Sequence, residues 1–301
     1  MRYTLKQLAV FDSIANQGSV SAAAEYLSLT QSATSMSLSQ LEKMLGKPLF
    51  ERVGKRMVLT HWGHWLRPKA KGLLSDAQQI ELGFAGQHLI SGEIALGASQ
   101  TAAHHLVPDL ISKIDKDFPE VRLKVEVENT EHVIDGVLDH TYQLGVIEGR
   151  CDDSRLCQQT WCTDHLVIVA GPQHPYAQID TISMGQLEQA QWVLREQGAG
   201  TRAIFDAAIH PHIDNLNVRH EYEQISILKT LVKQGPYLSC LPALDIARAV
   251  EREELVVLNT PELNMARRLS FIWRRESSDN PIRNCLLTEG RRLERVRNLN
   301  R

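Results

Sequence analysis

The 301-residue chain has five cysteines, an odd and small number that excludes a disulfide framework and fits reduced thiols in a cytosol. No apolar run approaches the ~18 residues of a membrane-spanning helix. Runs such as Leu166–Ala170 are strand-sized, and the opening Met1-Arg-Tyr-Thr-Leu-Lys-Gln lacks an apolar stretch of signal-peptide length, so a cytoplasmic protein is expected. Walker A, GxSxG and HExxH sequences are absent, and nothing assembles a nucleophile, a base and an orienting group; no enzyme is expected. Cys151, Cys157 and Cys162 lie near His165, but their separations are not those of CxxC, so neither a metal nor another cofactor is predicted. Hydrophobic residues make up 43% and charged residues 23%, enough to build a core, and the length fits about two domains.

The net charge of −3 hides an asymmetry. Residues 1–72 hold ten Lys/Arg against four Asp/Glu, so the rest of the chain is strongly acidic. A basic head on an acidic body points to a polyanion as the partner of the head.

Local patterns in the head agree. Leu5, Leu8, Phe11 and Ile14 recur at helical spacing up to Gly18. Ser19 offers an N-cap to a helix over 20–27, whose Ala22, Ala23 and Ala24 allow close helix approach. A polar turn at 28–30 precedes a third helix over 31–45, ending at Gly46. This is the helix-turn-helix layout. Thr34, Leu38, Leu41 and Leu45 mark the expected buried stripe of the third helix. The opposite side carries Gln31, Ser32, Ser35, Met36, Ser39 and Lys43, short side chains suited to a DNA major groove. Residues 48–60 read as two short strands turning at Gly54, with Arg52, Lys55 and Arg56 at the tip. A basic hairpin in that place is a wing that holds backbone phosphates.

Trp62, Leu66, Ala70, Leu73, Ala77, Ile80 and Phe84 then recur at spacings of 4, 4, 3, 4, 3 and 4. This heptad-like seam predicts a helix that pairs with another helix, with Pro68 a kink or near-start feature. A dimer built on it would set two recognition helices on half-sites related by a two-fold axis. From Gly92 onward, strand-like runs at 94–98, 121–127, 144–147, 166–170, 192–194, 237–241, 255–258 and 269–273 alternate with helix-like stretches at 102–117, 133–139, 201–209, 225–233, 244–251 and 282–296. The alternation predicts α/β layers with largely parallel strands, and ligands in such sheets bind at strand ends.

The segment with Gly18-Ser19, Ala22–Ala24, Leu27, Thr30-Gln31-Ser32-Ala33, Ser35, Leu41-Glu42, Leu45-Gly46, Leu49-Phe50, Arg52, Thr60 and Gly63 resembles the DNA-binding head of LysR-type transcriptional regulators. Val20 stands where that family usually has an aromatic, and Met36 where a polar or basic residue is common. The resemblance implies an N-terminal all-α winged helix-turn-helix over 1–60 and a linker/dimerisation helix and hinge over 61–91. It further implies a two-lobed α/β, periplasmic-binding-protein-like effector domain over 92–301, with lobe I at about 92–162 and 267–301 and lobe II at about 163–266. Double-stranded DNA, a second copy of the chain in a dimer or tetramer, a small effector and RNA polymerase are the implied partners. Thr30, Gln31, Ser32, Ser35, Met36, Ser39, Arg52, Lys55 and Arg56 are the DNA-binding candidates.

For the effector, Ser99-Gln100-Thr101 follows the first strand of the body and opens a helix, a setting for a small anion or carboxylate. Glu148 ends the Gly145-Val-Ile-Glu strand, and Arg195-Glu196-Gln-Gly-Ala-Gly-Thr201-Arg202 forms another strand-to-helix turn. These segments resemble the sulfur-assimilation and sulfite-sensing branch of the family, which also contains regulators of carbon fixation. The resemblance implies Ser99, Gln100, Thr101, Glu148, Glu196, Thr201 and Gln224 as effector contacts and sulfite as a candidate effector. Two rival readings stay open: a redox-sensing regulator using Cys151, Cys157 and Cys162, and a solute-binding or catalytic α/β protein.

Overall fold

A computed structural model describes residues 3–54, 56–85, 90–277 and 279–299, without the side chains at 75, 76, 78, 79, 81–85, 298 and 299. Lys55 and the side chain of Phe84 therefore lie outside the described residues. The chain divides into two compact units, the first holding the N-terminal part with its long helix together with residues 138–141 and the second the remainder. Among the described residues no helix is long and apolar enough to cross a membrane.

In the first unit, α1 (Leu5–Gln17), α2 (Val20–Tyr26) and α3 (Gln31–Leu45) follow one another through caps that the sequence supplies. Thr4 and Gln7 form a capping box on α1, and the hydroxyls of Ser19 and Thr30 accept from the backbone of Ala22 and Ala33. Gly18 and Gly46 close α1 and α3 in the left-handed conformation. Leu8, Phe11, Ile14, Ala23, Leu38 and Leu41 form the core. Leu45, expected in the buried stripe, is exposed, because the helix end runs past its last packing partner into the Gly46 cap.

The wing is an antiparallel hairpin of β1 (Phe50–Val53) and β2 (Arg56–Leu59). Glu42 of α3 accepts the Leu49 amide at 2.7 Å, and Met57 N–H donates to the Gly18 carbonyl at 2.9 Å, which fixes the hairpin on the helices. Helix α4 (His61–Ala85) runs unbroken through Pro68. At its start an added Cβ on Gly63 would stand 2.2 Å from the Leu49 carbonyl oxygen, so only glycine permits this approach. The seam expected along α4 divides its labour: Ala70 is buried and Leu66 half-buried against the unit's own core, whereas Trp62, Leu73 and Ile80 are exposed; outside the seam, Leu74 packs on the core and Trp65 is exposed.

The second unit begins with β3 (Gly92–Ser99), α5 (Gln100–His105), α6 (Val107–Asp117), β4 (Val121–Glu128), α7 (Thr130–Leu138) and β5 (Leu144–Glu148). The single helix expected over 102–117 is thus two helices, since Pro108 fits only in a first turn and forces a new start after Leu106. Next come β6 (Leu156–Ala170), α8 (Met184–Gln189), β7 (Gln191–Arg195), α9 (Gly200–Ile209), β8 (Asn217–Tyr222) and α10 (Ile225–Gln234). The unit ends with β9 (Tyr237–Pro242), α11 (Ala243–Glu251), β10 (Val256–Leu258), β11 (Ala266–Arg274) and α12 (Pro281–Leu299).

Two lobes form around three cores. Leu96, Leu110, Val146, Trp161, Phe271 and Leu286 gather in the first lobe; Ile168, Trp192, Leu194, Phe205 and Leu238 gather in the second. The third core, with Val169, Val193, Leu228 and Leu241, also lies in the second lobe. Strand β6 belongs to both, pairing with β11 through its first ten residues and with β9 and β10 through its last five. Only its Leu166–Ala170 end is legible in the sequence, because the preceding stretch alternates burial and exposure and reads as polar. The sheet is also less parallel than expected. Strands β3, β4, β5 and β7, β8, β9 pair in parallel, but the connecting β6 and β11 run antiparallel to their neighbours, as a chain crossing between lobes twice requires. Strand β8, absent from the sequence reading, is an exposed edge without an apolar run.

Candidate functional site

Two regions collect the residues singled out above. On α3, burial of Thr34, Leu38 and Leu41 turns Gln31, Ser32, Ser35, Met36 and Ser39 to the exposed side. Thr30 acts first as the N-cap, accepting from Ala33 N–H at 3.2 Å and lying 3.1 Å from the Ser32 hydroxyl. Arg52 and Arg56 are both exposed on the wing, with Arg56 directly opposite Val53. A helix N-terminus bearing hydroxyls can meet base edges, and exposed guanidinium groups can meet phosphates.

The second region lies between the lobes of the second unit. Arg267 at the start of β11 is fully buried and sits opposite Asp164 in the β6–β11 register. Its guanidinium donates to Asp164 at 2.7 and 3.0 Å, to Glu148 at 2.6 Å, to the Thr201 hydroxyl at 3.0 Å and to the Thr101 hydroxyl at 3.1 Å. Glu148 also accepts the Thr101 amide at 3.1 Å and the Thr201 hydroxyl at 3.0 Å. The Thr101 hydroxyl in turn donates to Asp245, which His105 contacts at 2.8 Å. The first turns of α5 and α9, the end of β5 and the crossing strands therefore meet in one bonded group.

Burial pushes the Glu148 carboxyl up, but the Arg267 charge, the Thr101 bond, the Arg195 charge and the Thr201 bond outweigh it and hold it below the usual carboxylate range. Arg267 shows the mirror case: burial disfavours its charge, and Glu148 and Asp164 more than restore it. Glu148 thus stands, charged, where the sequence reading places a free anion. Gly200 makes room for this arrangement, since an added Cβ would lie 2.5 Å from the Glu148 carbonyl oxygen and 2.7 Å from the Thr130 hydroxyl.

Of the seven expected effector residues, Thr101, Glu148 and Thr201 come together. Ser99 is buried two residues before Thr101, its hydroxyl unpartnered among the described residues, and Gln100 is half-buried at the start of α5. Glu196 instead pairs with Arg195 at 2.8 Å, and Gln224 is exposed at the start of α10. Arg267, Asp164 and Asp245 escaped the sequence reading. A signal for Arg267 existed: period-two alternation puts it on the face of Leu269 and Phe271, and a cation on an apolar strand face requires buried partners. Beside the group opens a cavity of about 1270 Å³, lined on one side by Glu131, Glu148 and Arg268 and on the other by Gly198, Ala203 and Ile204. All five cysteines are thiols, and burial pushes that of Cys151 up, away from the low range of reactive thiolates.

A winged helix-turn-helix joined through a long helix to a two-lobed α/β domain with an inter-lobe cavity is the build of a ligand-responsive DNA-binding regulator. Residues 5–64 match the bacterial regulatory helix-turn-helix protein, lysR family, and residues 87–291 match the LysR substrate binding domain. The chain belongs to the LysR family of transcriptional regulators. It is 34% identical to the HTH-type transcriptional regulator YeiE of Escherichia coli K12, over 95% of each chain. Its identity to the HTH-type transcriptional regulator CysL of Bacillus subtilis is 29%, over 88% of this chain and 89% of the other. The fold is also that of a full-length OxyR variant from Pseudomonas aeruginosa, with a TM-score of 0.77 at 21% identity over 97% of this chain and 96% of that one.

Proposed function

We propose that the protein regulates transcription as a homodimer or tetramer joined through α4, and that a small oxyanion such as sulfite controls it from the cleft beside Arg267. Gln31, Ser32, Ser35, Met36 and Ser39 read or steady the major groove, with Thr30 fixing the helix start, and Arg52, Lys55 and Arg56 hold the flanking phosphates. Trp62, Trp65, Leu73 and Ile80, exposed on α4, supply the apolar surface for the partner helix.

The observation that supports the effector reading is the inter-lobe cavity of about 1270 Å³, whose lining includes Arg150 and Arg268, cations that a small oxyanion entering it would meet. The donors around Glu148 are already taken by that carboxylate. A ligand acts on DNA geometry only through its different affinity for two arrangements of the lobes, and residues bonded across the cleft are where that difference arises. Titrating sulfite into the full-length protein should raise its melting temperature and change the mobility of its DNA complex. An unchanged melting curve up to millimolar sulfite sinks the effector assignment, whereas the DNA reading stands or falls on the complex itself.

A further inference from the structure

Met36 occupies the middle of the exposed side of α3 and is 61% exposed. Ser32, Ser39 and Lys43 share its row at helical spacing, with Ser35 and Gln40 alongside; Thr34, Leu38 and Leu41 face the other way into the core. A large apolar side chain thus stands alone among hydroxyls and amides, on the surface that DNA would cover. The face has no arginine, and its lysine lies in the last turn, so the N-terminal half of the helix offers no bidentate partner for guanine. What it offers is one amide, Gln31, of the type that pairs with adenine, and one thioether. The only apolar feature displayed in the major groove is the thymine methyl group.

Resting on the DNA-binding reading above, we infer that Met36 is a specificity-determining residue that packs against a thymine methyl and biases the operator half-site toward an A·T pair at that position. The flexible, polarisable side chain can follow the methyl without a hydrogen-bond partner, and water leaves both apolar surfaces when they meet.

The test uses the full-length protein and duplexes selected by it from a random pool. Each thymine of the selected site is replaced in turn by deoxyuridine, which deletes the methyl and keeps the base pair. At one position per half-site the replacement should weaken binding about fourfold, the scale of burying one methyl-sized group. The Met36→Ala protein should bind the thymine and uracil duplexes equally at that position, and Met36→Leu should restore the dependence. Because Met36 is exposed, both variants keep the core intact. Wild-type binding indifferent to every replacement overturns the inference, and so does a methyl dependence that persists unchanged in Met36→Ala. Failure to bind any duplex would overturn the DNA-binding reading as well, and a flat titration distinguishes that outcome.

Discussion

Replacing Arg267 by methionine removes one cation from a site that excludes water and leaves two carboxylates facing each other. The guanidinium makes five hydrogen bonds, to Asp164, Glu148, Thr201 and Thr101, and its side chain has no solvent exposure. Breaking a buried pair by removing one partner costs about 3–5 kcal/mol, since the remaining charge is neither hydrated nor paired. That is a large part of the roughly 5–15 kcal/mol that holds a domain folded. The urea-unfolding midpoint of the full-length Arg267→Met protein should fall accordingly, with the slope of the transition unchanged. Glu148→Gln keeps the size of the side chain and leaves Arg267 with Asp164, so it should cost less, about 1–2 kcal/mol. The double variant is the sharper test. With cation and anion both gone, less charge is stranded, and the combined loss should fall short of the sum by about 0.5–3 kcal/mol. A cost below about 1 kcal/mol for Arg267→Met, or strict additivity, would refute the account of the group as a coupled ionic network.

Acid should loosen the same group. Glu148 has a lower pKa folded than its ordinary value of 4.5, so its stabilising contribution is complete above that value and disappears as the pH falls through the folded one. Stability measured between pH 6 and pH 2 should therefore decline less steeply in Glu148→Gln than in the wild type. Arg56→Ala should weaken binding to all duplexes alike and lower the slope of log affinity against log salt by about one unit; a change in base preference alone would contradict a phosphate role. Gly200→Ala drives a Cβ into the Glu148 carbonyl and the Thr130 hydroxyl, and should cost about 1–3 kcal/mol in urea unfolding, whereas Gly185→Ala, with open space around it, should cost far less.

The head was legible almost residue by residue because its information is local. Caps at Ser19 and Thr30, stops at Gly18 and Gly46, and the periodicity of α1 and α3 each act within a few residues, and together they fix which side of α3 faces outward. The alternation of strands and helices after Gly92 likewise announced an α/β body. Tertiary structure alone decided how the charges there are used. Thr101, Glu148, Asp164, Thr201, Asp245 and Arg267 come from distant segments, and nothing in their local spacing says that Arg267 spends its hydrogen bonds on the chain's own carboxylates. The same holds for α4, where a uniform apolar repeat became part core and part exposed surface once Leu66 and Ala70 met the helices of the head. Short-range steric and hydrogen-bonding rules are written in adjacent residues, but the partner of a buried charge or of an apolar stripe is set only when the chain folds back and water is excluded.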